Sequence, residues 1–107
     1  MKLVTAIIQD KDATKLSNAF VKANIRATRL STTGGFLRSG NTTYMMAIED
    51  ERVTEVLEII KTVSQKRKQF MVPPLGMDAD HTGSYPVEVE VGGATVFTQP
   101  IDDFYRF

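Results

Sequence analysis

Two segments of this 107-residue chain carry apolar side chains on both sides of an extended run. Over 2–9, Leu3 and Ile7 fall on one side and Val4, Ala6 and Ile8 on the other; over 42–48, Tyr44, Met46 and Ile48 oppose Met45 and Ala47. A strand with one face in water alternates apolar and polar residues, so strands of this kind belong to a sheet covered on both faces. Helices of the same chain can cover one face. A monomer that left the other in water would expose a large apolar patch. The pattern therefore predicts a homo-oligomer that buries the second face, with a ligand site between subunits.

The remaining elements follow from periodicity. After the strand at 2–9, Asp12 is a candidate cap for a helix over 13–23, whose stripe is Leu16, Ala19, Phe20 and Ala23 and which Asn24 ends. A second strand is expected over 25–33, with Arg26, Thr28, Leu30 and Thr32 on one side and Ile25, Ala27, Arg29 and Ser31 on the other. A loop at 34–41 leads to the third strand, 42–48. Asp50 is a candidate cap for a second helix with the stripe Val53, Val56, Leu57, Ile60 and Val63 or Ser64. Lys66, Arg67 and Lys68 close that helix, where cations suit the negative end of its dipole. The segment 70–85, with Pro73, Pro74, Gly76 and Gly83, reads as a long surface loop.

A strand over 87–98 sets Val87, Val89 and Val91 opposite Glu88 and Glu90, and Gly92-Gly93 interrupts it as a bulge, sharp bend or hairpin turn would. The tail, 101–107, holds three aromatics and is expected to dock. The resulting order, β-α-β-β-α-β, is the α+β ferredoxin-like pattern: one domain over 1–107, an antiparallel sheet, two helices on one face.

Composition narrows the function. Thirteen Lys and Arg balance thirteen Asp and Glu. That balance argues against nucleic acid or an acidic membrane as the partner, both of which draw on basic excess. Cysteine is absent, which excludes disulfides and thiolate chemistry. The short apolar start reaches charge too soon for a signal segment, and no run is long enough to span a membrane. A cytoplasmic protein is expected.

The chemistry concentrates in 26–41. Arg26 and Thr28 share one side of the second strand, where a guanidinium fork and a hydroxyl suit a phosphate. Gly34 and Gly35 permit close backbone approach, Phe36 in a loop suits stacking on a base, and Asn41 offers the donor and acceptor that an adenine edge uses. A solvated strand edge and a ring folded back on its loop are the plainer readings of the same residues.

Other motifs carry less. The run 35–42 nearly spells a P-loop, but Asn41 stands where its lysine must be, and a strand follows where the phosphate-cradling helix is required. His81 near Asp78 and Asp80 is a weak metal set without a second His or any Cys, and a solvated loop explains it equally. Glu88 and Glu90 fit a solvent-facing strand as well as an acid/base pair. No activated nucleophile emerges, so no enzymatic role and no catalytic residue is expected.

The runs 24–43 (NIRATRLSTTGGFLRSGNTT) and 86–97 (PVEVEVGGATVF) closely resemble the PII-like cyclic di-AMP receptors, and the resemblance extends over essentially the whole chain. It implies a cytoplasmic, non-enzymatic homotrimer that binds the second messenger cyclic di-AMP in each of three clefts between subunits. By that resemblance Arg26 and Thr28 meet phosphate or adenine, Gly35 and Leu37 offer backbone contacts, and Phe36 stacks on adenine. Asn41 reads an adenine edge and Asn24 borders the pocket; Gly92, Gly93 and Phe97 come from the adjacent subunit. Signal transduction to a downstream protein partner, through altered loop conformation, is the implied role, with no cofactor or metal besides the ligand.

Two relatives of the same fold are the alternatives. Nitrogen-regulatory PII proteins bind ATP through a much longer loop bearing a tyrosine, whereas 34–41 is short and lacks one. Metal-handling trimers of the divalent-cation tolerance type are disfavoured by the absence of cysteine.

Overall fold

The computed structural model describes residues 1–31, 40–71 and 87–107. Its elements are β1 (Lys2–Gln9), α1 (Asp10–Lys22), β2 (Thr28–Ser31), β3 (Asn41–Ile48), a 3-10 turn (Asp50–Arg52), α2 (Val53–Ser64), β4 (Arg67–Met71), β5 (Val87–Val91) and β6 (Ala94–Pro100). Four strands form an antiparallel sheet in the order β2-β3-β1-β6, and β4 pairs with β5 in a separate two-stranded sheet. Taking β4 and β5 as an insertion before the last strand, the order is the α+β ferredoxin-like one expected from the sequence.

The register fixes two unlike faces. Lys2 pairs with Ile48 and Gln9 with Asn41, so Val4, Ala6, Ile8, Thr42, Tyr44, Met46 and Ile48 share the face on which both helices pack. Ala13, Leu16 and Phe20 of α1 and Val56 and Ile60 of α2 complete that core. Burying a polar ring there requires partners for its hydroxyl. Tyr44 Oη donates to the Ala13 carbonyl at 2.7 Å and lies 2.5 Å from Ser17 Oγ, while its ring meets Phe20 edge-on at 5.6 Å.

The opposite face has no cover of its own among the described residues. Leu3, Thr5, Ile7, Thr43 and Ala47 are half-buried, and Leu30, Met45 and Phe97 are 46 %, 37 % and 54 % exposed. The two-faced apolar pattern of β1 and β3 thus corresponds to one packed face and one open apolar face.

Three expectations need correction. The chain from 66 onward does not close a helix and open a loop: α2 stops at Ser64, and Arg67 begins a strand. The cause is a partner distant in sequence, because Arg67 Nη2 donates to Asp12 Oδ1 at 2.7 Å. Asp12, expected as a cap, lies inside the first turn of α1 and is 2 % exposed. The strand at 87–98 is two strands in different sheets, with Gly92-Gly93 as the corner between them.

The second strand also begins later than the expected residue 25, at Thr28. Ile25 is held by α1 instead, its N–H donating to the Phe20 carbonyl at 2.8 Å and its side chain buried. The tail makes one backbone bond to the sheet, Ile101 N–H to the Met1 carbonyl at 3.2 Å. Tyr105 and Phe107 stack on each other at 6.3 Å and remain exposed on the single chain.

Candidate ligand-binding site

One group of candidate residues is built by the end of α1. Asn24 adopts a left-handed backbone, φ 57°, and its N–H donates to the Val21 carbonyl at 3.1 Å. With the Ile25 to Phe20 bond this is a Schellman ending, in which the C″ residue packs on the helix it has just left. Arg52 completes it, Nη2 donating to the Ala23 carbonyl at 2.7 Å and Nη1 to Asn24 at 3.3 Å. The chain then turns outward at Arg26. Asn24 and Arg26 line an open groove of about 570 Å³ with Ala47, Arg52, Phe104 and Arg106. The Arg106 guanidinium lies 5.2 Å from the Phe104 ring centroid. The Arg26 and Arg106 guanidinium groups and an exposed ring suit an anionic, aromatic ligand, while Arg52 is committed to Glu55 and the two carbonyls.

The second group lies at the other end of the sheet. Asn41 opens β3 opposite Gln9. It shares a smaller recess, about 320 Å³, with Gln9, Lys66, Gly92, Gly93 and Thr95. The glycine corner is required sterically. Gly92 sits at φ 92°, and a Cβ there would stand 2.4 Å from the Gln65 carbonyl oxygen. Gly92 N–H donates to Gln9 Oε1 at 2.8 Å, and Gly93 N–H donates to the Ser64 carbonyl.

Thr28 and Phe97 lie between these groups, on the open face. Thr28 is opposite Met45, Met45 opposite Thr5, and Thr5 opposite Phe97, so the four form one row across the sheet. Gly35, Phe36 and Leu37 lie outside the described residues, as do Asp78, Asp80 and His81. Among the described residues, one chain does not gather the candidates into one pocket. Ala47 of the first groove lies six positions along β3 from Asn41, roughly 20 Å of strand.

Arg52, Phe104, Arg106, Gln9 and Lys66 are lining residues that sequence reasoning missed. The aromatic and basic content of the tail was the available signal for Phe104 and Arg106; nothing local marks Gln9. The Arg67 guanidinium, held by its hydrogen bond to Asp12, is raised above its ordinary pKa. No group of three His, Cys, Asp or Glu suited to a metal occurs among the described residues, and no described helix is long and apolar enough to cross a membrane.

The profile of the cyclic-di-AMP receptor family matches residues 1–107. A crystal structure of a protein of Pediococcus pentosaceus ATCC 25745, described as functionally unknown, is 58 % identical. It superposes with a TM-score of 0.80, covering 99 % of this chain and 96 % of that one.

Proposed function

The chain belongs to the cyclic-di-AMP receptor family, and we propose from that premise that it is a non-enzymatic, cytoplasmic receptor whose ligand joins two subunits of a homotrimer. The observation that carries the subunit arrangement is the separation of the candidate residues on one chain, combined with an open apolar sheet face bearing Leu30, Met45 and Phe97. A neighbouring copy covers that face and brings its own Gly92, Gly93 and Phe97 toward Arg26, Thr28 and Asn41. The three-fold number comes from the resemblance to PII-like receptors, and the apolar face supports an oligomer without fixing its size.

In this reading Arg26 and Thr28 hold phosphate, Asn41 reads an adenine edge, and Phe36 stacks on an adenine, with Gly35 and Leu37 offering backbone groups. Asn24 acts through its left-handed backbone, which aims Arg26 into the groove. The ligand changes the protein's state only as far as it binds two loop arrangements unequally, and a downstream protein reads the difference.

Calorimetry on variants tests the residue roles. Arg26→Ala is expected to weaken cyclic di-AMP strongly, and Phe36→Ala to remove about 1–3 kcal/mol of stacking per base. Unchanged affinity in both contradicts the site. Sedimentation of a stable monomer at micromolar concentration contradicts the shared-site arrangement.

A further inference from the structure

Four consecutive residues, Gln9 to Asp12, make side-chain bonds to three different strands or corners. Gln9 Oε1 accepts from Gly92 N–H at 2.8 Å, holding the corner between β5 and β6. Asp10 Oδ1 accepts from Thr42 Oγ1 at 2.6 Å, and Asp10 N–H donates to the Gly40 carbonyl at 3.1 Å, so Asp10 brackets Asn41 from both sides. A Cβ on Gly40 would stand 2.5 Å from Asp10 Oδ2, so glycine there permits the approach. Lys11 Nζ donates to Gln69 Oε1 of β4, and the buried Asp12 carboxylate receives Arg67 of the same strand.

Among the described residues the β4–β5 sheet has two strands, a size that is marginal in water unless something anchors it. These bonds anchor it, together with the buried Val91 of β5. The Asp12 carboxylate is nearly excluded from solvent, so it needs the Arg67 cation and the bond it donates. Undocking β4 would strand that carboxylate and pull on the first turn of α1, which also sets Asn41.

We propose that Gln9, Asp10 and Asp12 are positioning residues for Asn41 and for the Gly92-Gly93 corner, which serve adjacent clefts of the oligomer, and that the Asp12–Arg67 pair couples ligand affinity in those clefts to docking of the β4–β5 sheet. The inference rests on the cyclic di-AMP reading of those clefts and adds their regulation. Coupling is reciprocal: docking of β4 raises ligand affinity, and ligand binding holds β4 in place. A partner protein that grips β4 or β5 would thereby sense occupancy without touching the ligand.

The test uses the full chain, with cyclic di-AMP as the probe, and reads affinity by calorimetry and amide hydrogen exchange of 67–71 and 87–91. In the unaltered protein, ligand slows exchange in both strands. Arg67→Gln is expected to weaken binding about fivefold or more and to abolish the ligand-induced slowing, while a normal thermal transition of the four-stranded core shows that the fold persists. Arg67→Lys, which retains the cation, is expected to recover part of both effects. Asp12→Asn with Arg67→Gln removes the buried charge and serves if the single variant fails to fold; it too is expected to lose the slowing. Unaltered protein that binds, with affinity and exchange unchanged in the foldable variant, overturns the coupling and leaves the functional reading standing. Unaltered protein that does not bind overturns both.

Discussion

The Ile25 N–H donates to the Phe20 carbonyl at 2.8 Å, across the end of α1. That bond, with Asn24 at φ 57°, turns the chain from the helix toward Arg26. A β-branched residue resists this backbone conformation, while glycine adopts it readily. Asn24→Val is therefore expected to lower stability by about 1–2 kcal/mol, with Asn24→Gly close to the unaltered protein. Thermal unfolding of the two variants checks this, and equal losses would show that the Asn24 side chain matters more than its backbone.

The glycine corner yields an asymmetric pair. A methyl group at Gly92 meets the Gln65 carbonyl oxygen, which belongs to the backbone and cannot yield cheaply; at Gly93 it meets the Lys66 stem at 3.3 Å, which can. Both positions have positive φ. Gly92→Ala is expected to cost about 1–3 kcal/mol, and Gly93→Ala less. Urea denaturation that ranks them in the opposite order would contradict this account of the corner.

The N-terminal ammonium lies 2.9 Å from Asp50 Oδ1. Its hydrogen bond, and then its charge, hold the Asp50 carboxyl below the ordinary range. A carboxyl depressed in the folded state contributes stability that is fully present above its unfolded pKa, about 4, and is lost as pH falls through the folded value. Asp50→Asn should therefore cost some stability at pH 7 and none at strongly acid pH, with the difference shrinking in high salt because the pair is exposed. Denaturation curves whose difference is the same at both pH values would contradict it.

Much of this fold was legible because its signals are local. Leu16 and Phe20 repeat at helical spacing, and the alternation through β1 and β3 sorted the side chains into two faces, of which the structure shows that the helices cover the one bearing Val4, Ala6 and Ile8. The failures share one cause, a contact between residues far apart in sequence. Lys66, Arg67 and Lys68 look like a helix end, whereas Arg67 pairs with Val91 in a strand and bonds the buried Asp12, 55 positions earlier. Val87, Val89 and Val91 read correctly as a strand, but nothing in their alternation says that β5 pairs with β4 while β6 pairs with β1. For the site, residue chemistry reached a phosphate-and-base ligand; the choice of cyclic di-AMP came from resemblance, and membership of the receptor family supports it. That the candidate residues of one chain fall into two groups follows from register, which no short motif encodes.

The central claim is recognition of cyclic di-AMP, and the most direct measurement is calorimetric titration of the purified full chain with cyclic di-AMP, cyclic di-GMP, ATP and AMP in parallel. The account predicts saturable binding of cyclic di-AMP at one ligand per chain, in preference to the other three. A preference for ATP, or no heat of binding with cyclic di-AMP, would contradict it.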